Sequence, residues 1–188
     1  KSNKILGIIP AGSGNGLSRH LKIPMNYNKA IIRLLSLKPQ KMDVGSVNGI
    51  HFLCTAGVGF DALIGKEFAS RNNTGFMGYA SKVLKHVFSY KAQEYELHLG
   101  DLKVNKKALM ITFANASQYG NNAFIAPKAS VLDGQLNISL MKPFPLILSP
   151  IIALRLFSMS IDKSPFLDSF KSREFKIKRK SGPIHLDG

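Results

Sequence analysis

The sequence predicts an α+β chain, a mostly antiparallel β-sandwich with flanking helices, preceded by a single strand-loop-helix unit of α/β type. Three observations carry this. From residue 41 onward, short β-branched and aromatic runs alternate with turn pairs such as Asn48-Gly49, Gly100-Asp101 and Ser181-Gly182, the texture of an antiparallel sandwich. Before residue 41 the texture differs, with an apolar run entering a glycine turn and then helical periodicity. A chain of 188 residues that is 45% hydrophobic is long enough to bury one full core and part of another. We set the boundary in 37–41, giving regions 1–40 and 41–188.

In chain order, Ile5 to Ile9 reads as a buried strand, and an amphipathic run begins near Leu17. Ala30, Ile31, Leu34 and Leu35 recur at helical spacing until Pro39 stops the helix. Met42 to Val47 and Ile50 to Thr55 flank Asn48-Gly49, a two-residue hairpin signal. Helices are expected over 60–69 and 76–88, the second with an apolar stripe, joined by a polar loop over 70–75. Glu94 to Leu99, Leu102 to Val104 and Ala108 to Ala114, separated by turns at Gly100-Asp101 and Asn105-Lys106, form a meander. Leu136 to Met141 is a further strand. Glu174 to Lys180 and Ile184 to Leu186 form a closing hairpin about Ser181-Gly182. No repeat or low-complexity linker is visible.

Composition narrows the function. Twenty-six Lys and Arg against 11 Asp and Glu give a net charge of +15, a field that attracts membrane lipid, nucleotide phosphate or nucleic acid. Alternation puts Lys176, Lys178 and Lys180 on one face and Phe175 and Ile177 on the other, for either membrane contact or a guarded edge strand. Leu146 to Met159 is too short to span a bilayer and either buries a helix face or lies on lipid. The single Cys54 excludes a disulfide framework and reads as a small core residue in a reducing compartment. The five histidines lie far apart and give no metal spacing, so they read as ordinary core or surface residues.

The glycine turn carries chemistry. Strand, glycine loop and helix start aim backbone N–H groups at a phosphate. The loop Gly12-Ser13-Gly14-Asn15-Gly16 lacks the Lys-Ser/Thr of a Walker loop, and Leu17 stands where a dinucleotide fingerprint has glycine. Ser13 can donate its hydroxyl, the N–H groups of Gly12, Gly14 and Asn15 line the turn, and the Asn15 side chain either serves a ligand or satisfies its own turn. Asp61, at a strand-to-helix step, reads locally as a helix cap. Asp133-Gly134 reads locally as a turn.

Four ordered blocks resemble the diacylglycerol kinase and sphingosine kinase superfamily of lipid kinases, in its bacterial form. These are Pro10 to Leu21 continuing to Ile23-Pro24; Asp43-Val44-Gly45 with Gly57-Val58-Gly59-Phe60-Asp61; Phe113-Ala114-Asn115 with Tyr119-Gly120-Asn121-Asn122 and Ile125-Ala126-Pro127; and His185-Leu186-Asp187-Gly188. The resemblance makes 1–40 the last strand, loop and helix of a nucleotide-binding kinase catalytic domain and 41–188 a lipid-binding domain. It implies ATP held at Gly12, Ser13, Gly14 and Asn15, and a lipid head faced by Asp61. It also implies magnesium held by the Asp133 carboxylate with carbonyls near Ser130 and Gln135, oxygen donors suited to a hard cation. Asp187 would be the catalytic-block carboxylate.

Three departures accompany it. The family's Gly-Gly-Asp-Gly-Thr motif is absent, the closing signature stops before its glutamate, and Gly16 stands where many diacylglycerol kinases carry aspartate. The chain therefore reads as an excised piece of a kinase, inactive alone. The expectation is phosphate transfer from ATP to diacylglycerol, a sphingoid base or a related lipid, by a cytoplasmic protein peripheral to an anionic membrane surface. A homodimer is left open. Three rivals stand beside it: an NAD kinase-like enzyme with a soluble substrate, a basic nucleic-acid-binding module, and a regulatory lipid-binding domain. The nucleic-acid module lacks any aromatic-basic recognition motif.

Overall fold

The computed structural model describes residues 5–69, 86, 89–99 and 102–187. Four α-helices are described: α1 (Gly16–His20), α2 (Tyr27–Ser36), α3 (Phe60–Ala69) and α4 (Ser149–Phe157). The strands are β1 (Gly45–Val47), β2 (Ile50–Phe52), β3 (Thr55–Gly59), β4 (Gln93–Leu99), β5 (Leu102–Ala108), β6 (Met110–Ala114), β7 (Gln118–Gly120), β8 (Ala123–Phe124), β9 (Leu136–Met141), β10 (Leu167–Ser172), β11 (Lys176–Lys178) and β12 (Ile184–Leu186).

The centre is a five-stranded antiparallel sheet in the order β10-β9-β6-β3-β12. Residues directly opposite one another share a face. One register row is Phe170, Ile138, Phe113, Ala56 and Leu186, and this apolar face packs on a second sheet, β11-β4-β5. Tyr95, Leu97, Ala108 and Ile177 of the second sheet complete that core. The neighbouring row is Ser169, Ser139, Thr112, Gly57 and His185, on the opposite face. That face carries a second core at one end, where Ala114, Met141 and Leu167 meet Ile125, Ile152 of α4 and Ile161. At its other end α3 covers β3, β6 and β12. The sandwich expected from sequence is therefore present, with its polar row on the helix-covered side.

The β1–β2 hairpin forms about Asn48 (φ 50) and Gly49 (φ 83), the paired left-handed conformations of a tight two-residue turn. Helix α2 is capped by the Asn26 side chain, which accepts the Lys29 N–H at 3.1 Å. Among the described residues no helix is long and apolar enough to cross a membrane.

Several expectations are corrected. Ile5 to Ile9 has no strand partner among the described residues and is largely exposed, Ile5 by 77%; an apolar run becomes a strand only where a neighbour takes its backbone hydrogen bonds. The Asn105-Lys106 turn does not form, because both residues continue β5 opposite Glu96 and Tyr95. The meander is broken at Leu109, where the chain passes from the smaller sheet into the larger one. The closing hairpin is absent: β11 joins β4 and β12 joins β3, so these two segments lie in different sheets. The strand β10 and the short β7–β8 pair were not foreseen. The expected helix over 76–88 (residue 86 apart), the loop over 70–75 and the turn at 100–101 lie outside the described residues.

Candidate functional site

Asp61 enters α3 directly after β3 ends at Gly59, whose φ of 87 favours glycine. It does not act as a local cap. Its Oδ2 accepts the Thr112 hydroxyl at 2.8 Å and the Tyr119 hydroxyl at 3.1 Å, and lies 3.0 Å from His185 Nε2. The Thr112 and Tyr119 hydroxyls are themselves 2.7 Å apart. Gly57 makes room for the cluster, since a Cβ there would sit 2.3 Å from Asp61 Oδ2 and 2.7 Å from His185 Nε2. Among the described residues every partner of Asp61 is on Oδ2, leaving Oδ1 for another group.

The Asp61 and His185 side chains are 11% and 8% exposed. Burial alone would push the imidazole down, but the Asp61 ion pair and the Asp187 charge outweigh it, and His185 sits above its ordinary 6.5. The pair is close in distance without an aligned hydrogen bond, and neither ring nitrogen has a conventional partner.

The glycine loop lies on the other side of Tyr119. Asn15, at φ 52, closes the loop on itself: its Oδ1 accepts the Gly12 N–H at 2.9 Å and its Nδ2 donates to the Gly12 carbonyl at 2.7 Å. The turn-satisfying role of Asn15 is thus the one observed, and the Gly12 N–H is engaged by it. Ser13 is exposed at the tip. The Gly14 carbonyl accepts Arg19 Nε and the Asn121 N–H, and Asn15 bridges to Gly120. At Gly16 a Cβ would fall 2.6 Å from the Tyr119 carbonyl. The glycine there is a packing requirement, which accounts for the missing aspartate. His20 fixes the same junction, its Nδ1 accepting the Ser117 N–H at 3.1 Å, and burial lowers its pKa.

Tyr119 therefore touches both places, with its carbonyl on the loop and its hydroxyl on Asp61. Of the expected site residues, the structure brings Gly14 and Asp61 to this one residue, Gly14 beside its backbone carbonyl and Asp61 on its hydroxyl.

Asp187 is a clasp. At φ 57, it accepts the Leu53 N–H at 2.8 Å, the Cys54 N–H at 2.7 Å and the Thr55 N–H at 3.1 Å. All of these hold the turn from β2 into β3. Asn115, fully buried, braces the same turn by donating to the Asp43 and Leu53 carbonyls. Cys54 gives its thiol to the Gln118 carbonyl, and burial with the nearby Asp187 charge pushes it up to about 12, as an inert core thiol requires.

In the 130–135 loop Asp133 is held by an ion pair and by backbone. Asp133 Oδ2 pairs with Lys171 Nζ at 2.7 Å, Asp133 Oδ1 accepts the Gln135 N–H, and Ser130 Oγ accepts the Leu132 N–H. Lys171 is the first cause of the lowered Asp133 pKa. Both Asp133 carboxylate oxygens are engaged, one by the Lys171 ammonium, and the Asp43 carboxylate stands against the same loop, accepting the Gly134 N–H at 2.7 Å. Among the described residues no group of three His, Cys, Asp or Glu could hold a metal.

Sequence reasoning missed Thr112, Tyr119 and His185 as partners of Asp61. Tyr119 and His185 stood inside the motif blocks, but the register of β3, β6 and β12 sets Thr112 and His185 on either side of Gly57, and β7, in a separate sheet, brings Tyr119 to them.

Similarity to known proteins gives the family and the fold. Residues 54–188 match the family model described as the YegS C-terminal NAD kinase beta sandwich-like domain, and residues 1–47 match the diacylglycerol kinase catalytic domain. The chain belongs to this lipid-kinase superfamily. Among curated relatives, "Probable lipid kinase YegS-like" of Pectobacterium atrosepticum is 29% identical over 140 residues, covering 72% of this chain and 46% of the relative. The protein of the same description from Yersinia pestis is 27% identical over 172 residues, covering 87% and 57%. The chain thus spans about half the length of the curated kinases it matches. A crystal structure of a diacylglycerol kinase from Bacillus anthracis superposes with a TM-score of 0.67 at 22% identity, covering 98% of this chain and 60% of that one. A second structure from that organism gives a TM-score of 0.71 at 23% identity, covering 98% and 61%. These structures share the fold.

Proposed function

We propose that this chain forms the acceptor-binding part and the phosphate loop of an ATP-dependent lipid kinase. Membership of the superfamily supports the kinase class. The observation that carries the finer reading is Tyr119, bonded to Asp61 on one side and packed on the glycine loop on the other. A kinase has to hold a phosphate donor and an acceptor hydroxyl at one fixed separation, and this contact ties the two elements together.

In this reading the acceptor hydroxyl attacks the γ-phosphorus of ATP, its proton leaves to a base, and the bond to ADP breaks. Ser13 and Gly14 face the nucleotide phosphates. Asp61, held in place by Thr112, Tyr119 and His185, orients the lipid head through Oδ1. Asp187 fixes the 53–55 turn. Region 1–40 belongs with a catalytic domain and 41–188 with the lipid-binding domain. The exposed Ile32 and Leu35 of α2 and the exposed Ile5 and Leu6 supply an apolar face for further catalytic-domain elements. The protein would work at an anionic membrane surface, and magnesium, entering with the nucleotide, would offset the charge of the transferred phosphate.

The test joins this chain to the upstream catalytic-domain sequence and terminal glutamate of its relatives. Labelled ATP is then offered with vesicles of diacylglycerol, sphingosine or ceramide, and with soluble NAD. Transfer to a lipid supports the proposal and names the substrate. Transfer to NAD alone supports the soluble-substrate reading that the NAD kinase-like sandwich suggests, and overturns this one.

A further inference from the structure

His185 has no part in the acceptor chemistry beyond holding Asp61, yet its charge bears on what Asp61 can bind. The central sheet brings the two together. His185 lies opposite Gly57 on β3, and Gly57 lies opposite Thr112 on β6. Gly57 has no side chain to stand between them. The His185 Nε2 atom is 3.0 Å from Asp61 Oδ2, and both side chains lie largely out of water. Neither ring nitrogen makes a hydrogen bond. What remains is charge against charge, which needs no alignment and is stronger away from bulk water.

Among the described residues His185 is the only cation paired with Asp61. Thr112 and Tyr119 bring neutral hydroxyls from β6 and β7. Gly65 of α3 packs over the ring without a side chain, a Cβ there lying 3.3 Å from His185 Cβ. The other charge acting on the ring is Asp187, whose carboxylate already accepts the Leu53, Cys54 and Thr55 N–H groups. A head group that reaches Oδ1 therefore meets a carboxylate balanced by an imidazolium.

We infer that His185 sets which lipid heads this site takes: by balancing Asp61 it favours an uncharged hydroxyl head at Oδ1 and disfavours an ammonium head. A hydroxyl needs only an acceptor for its hydrogen. An ammonium brings a second cation beside the imidazolium, and like charges in a buried site raise the cost of both. Diacylglycerol and ceramide carry heads of the first kind, sphingosine one of the second. This inference rests on the proposal that Asp61 faces the acceptor, and it makes His185 a positioning residue that acts through Asp61.

The test is calorimetric binding of two soluble probes, dihexanoylglycerol and a short-chain sphingosine, to the protein joined to its upstream catalytic sequence. No ATP is present, so binding is read apart from phosphate transfer. The quantity followed is the ratio of the glycerol affinity to the sphingosine affinity, from pH 5.5 to 8, below the range in which an alkyl ammonium titrates. In the parent the ratio is highest at low pH and falls as pH rises above 6.5, as the imidazole loses its proton. H185Q lowers the ratio at pH 6 by about tenfold or more, the least that one unbalanced charge gives at close range in a part-buried site. Its ratio is then flat with pH. H98Q, which removes a histidine–carboxylate contact on β4, leaves the ratio as in the parent. The parent's own profile needs no variant, so a misfolded H185Q leaves the test intact. A parent ratio that does not change with pH, or a folded H185Q that matches the parent at pH 6, overturns the role of His185 and leaves Asp61 as the acceptor site. If D61N binds both probes as tightly as the parent does, the acceptor reading fails and this inference falls with it.

Discussion

Asp61 and His185 depend on each other. Because His185 is held above its ordinary 6.5, its stabilising contribution is complete below about pH 6.5 and is lost as pH rises through the folded-state value. Thermal melts from pH 5 to 9 should show Tm falling above about pH 6.5, with a flatter profile in H185Q. D61N should reverse the sign. Burial then acts on the imidazole opposed only by Asp187, so stability is lost as pH falls below about 6.5. T112V removes one hydrogen bond to a charged group and should cost about 1.5–3 kcal/mol in denaturant titrations. Cys54 offers a separate check. A thiol raised from 9.0 to about 12 has a thiolate fraction about a thousandfold lower at pH 8, so iodoacetamide should label the native chain far more slowly than the denatured one.

At the element scale, the contact between α1 and β7 is made by backbone, and Gly16 permits it. G16A should force the loop off the Tyr119 carbonyl and cost about 1–3 kcal/mol, read as a lower denaturant midpoint with unchanged slope. D187A should free three backbone N–H groups at the start of β3 and cost about 2 kcal/mol. Local signals were legible in the sequence. Asn48-Gly49 specifies its own turn, and Leu136 to Met141 forms the strand its residues favour. Partnership was not legible. Ile184 to Leu186 reads as the second arm of a hairpin, yet it pairs with β3, more than 120 residues earlier in the chain. The Asp61 cluster failed to show for the same reason, because Thr112 and His185 are aligned only by the register of the central sheet and Tyr119 reaches them from β7 of another sheet. The motif blocks nonetheless contained Asp61, Tyr119, His185 and Gly16 before any pairing was known. At Asp133 the resemblance suggested a cation, while the structure pairs it with Lys171 from the neighbouring strand, a contact invisible without the β9–β10 register.

At the scale of the whole molecule, the sandwich holds one end of its polar row, Thr112 and His185, against Asp61 of α3. On this reading the Asp61 cluster addresses the lipid acceptor and not the nucleotide. The measurement that tests it most directly is steady-state kinetics of D61N beside the parent, in the protein joined to its upstream catalytic sequence, varying lipid and ATP in turn. The account predicts that kcat/KM for the lipid falls by about tenfold or more, as loss of a charged hydrogen bond to the acceptor would give, while the KM for ATP is unchanged. An unchanged lipid term, or a loss confined to ATP, would contradict it.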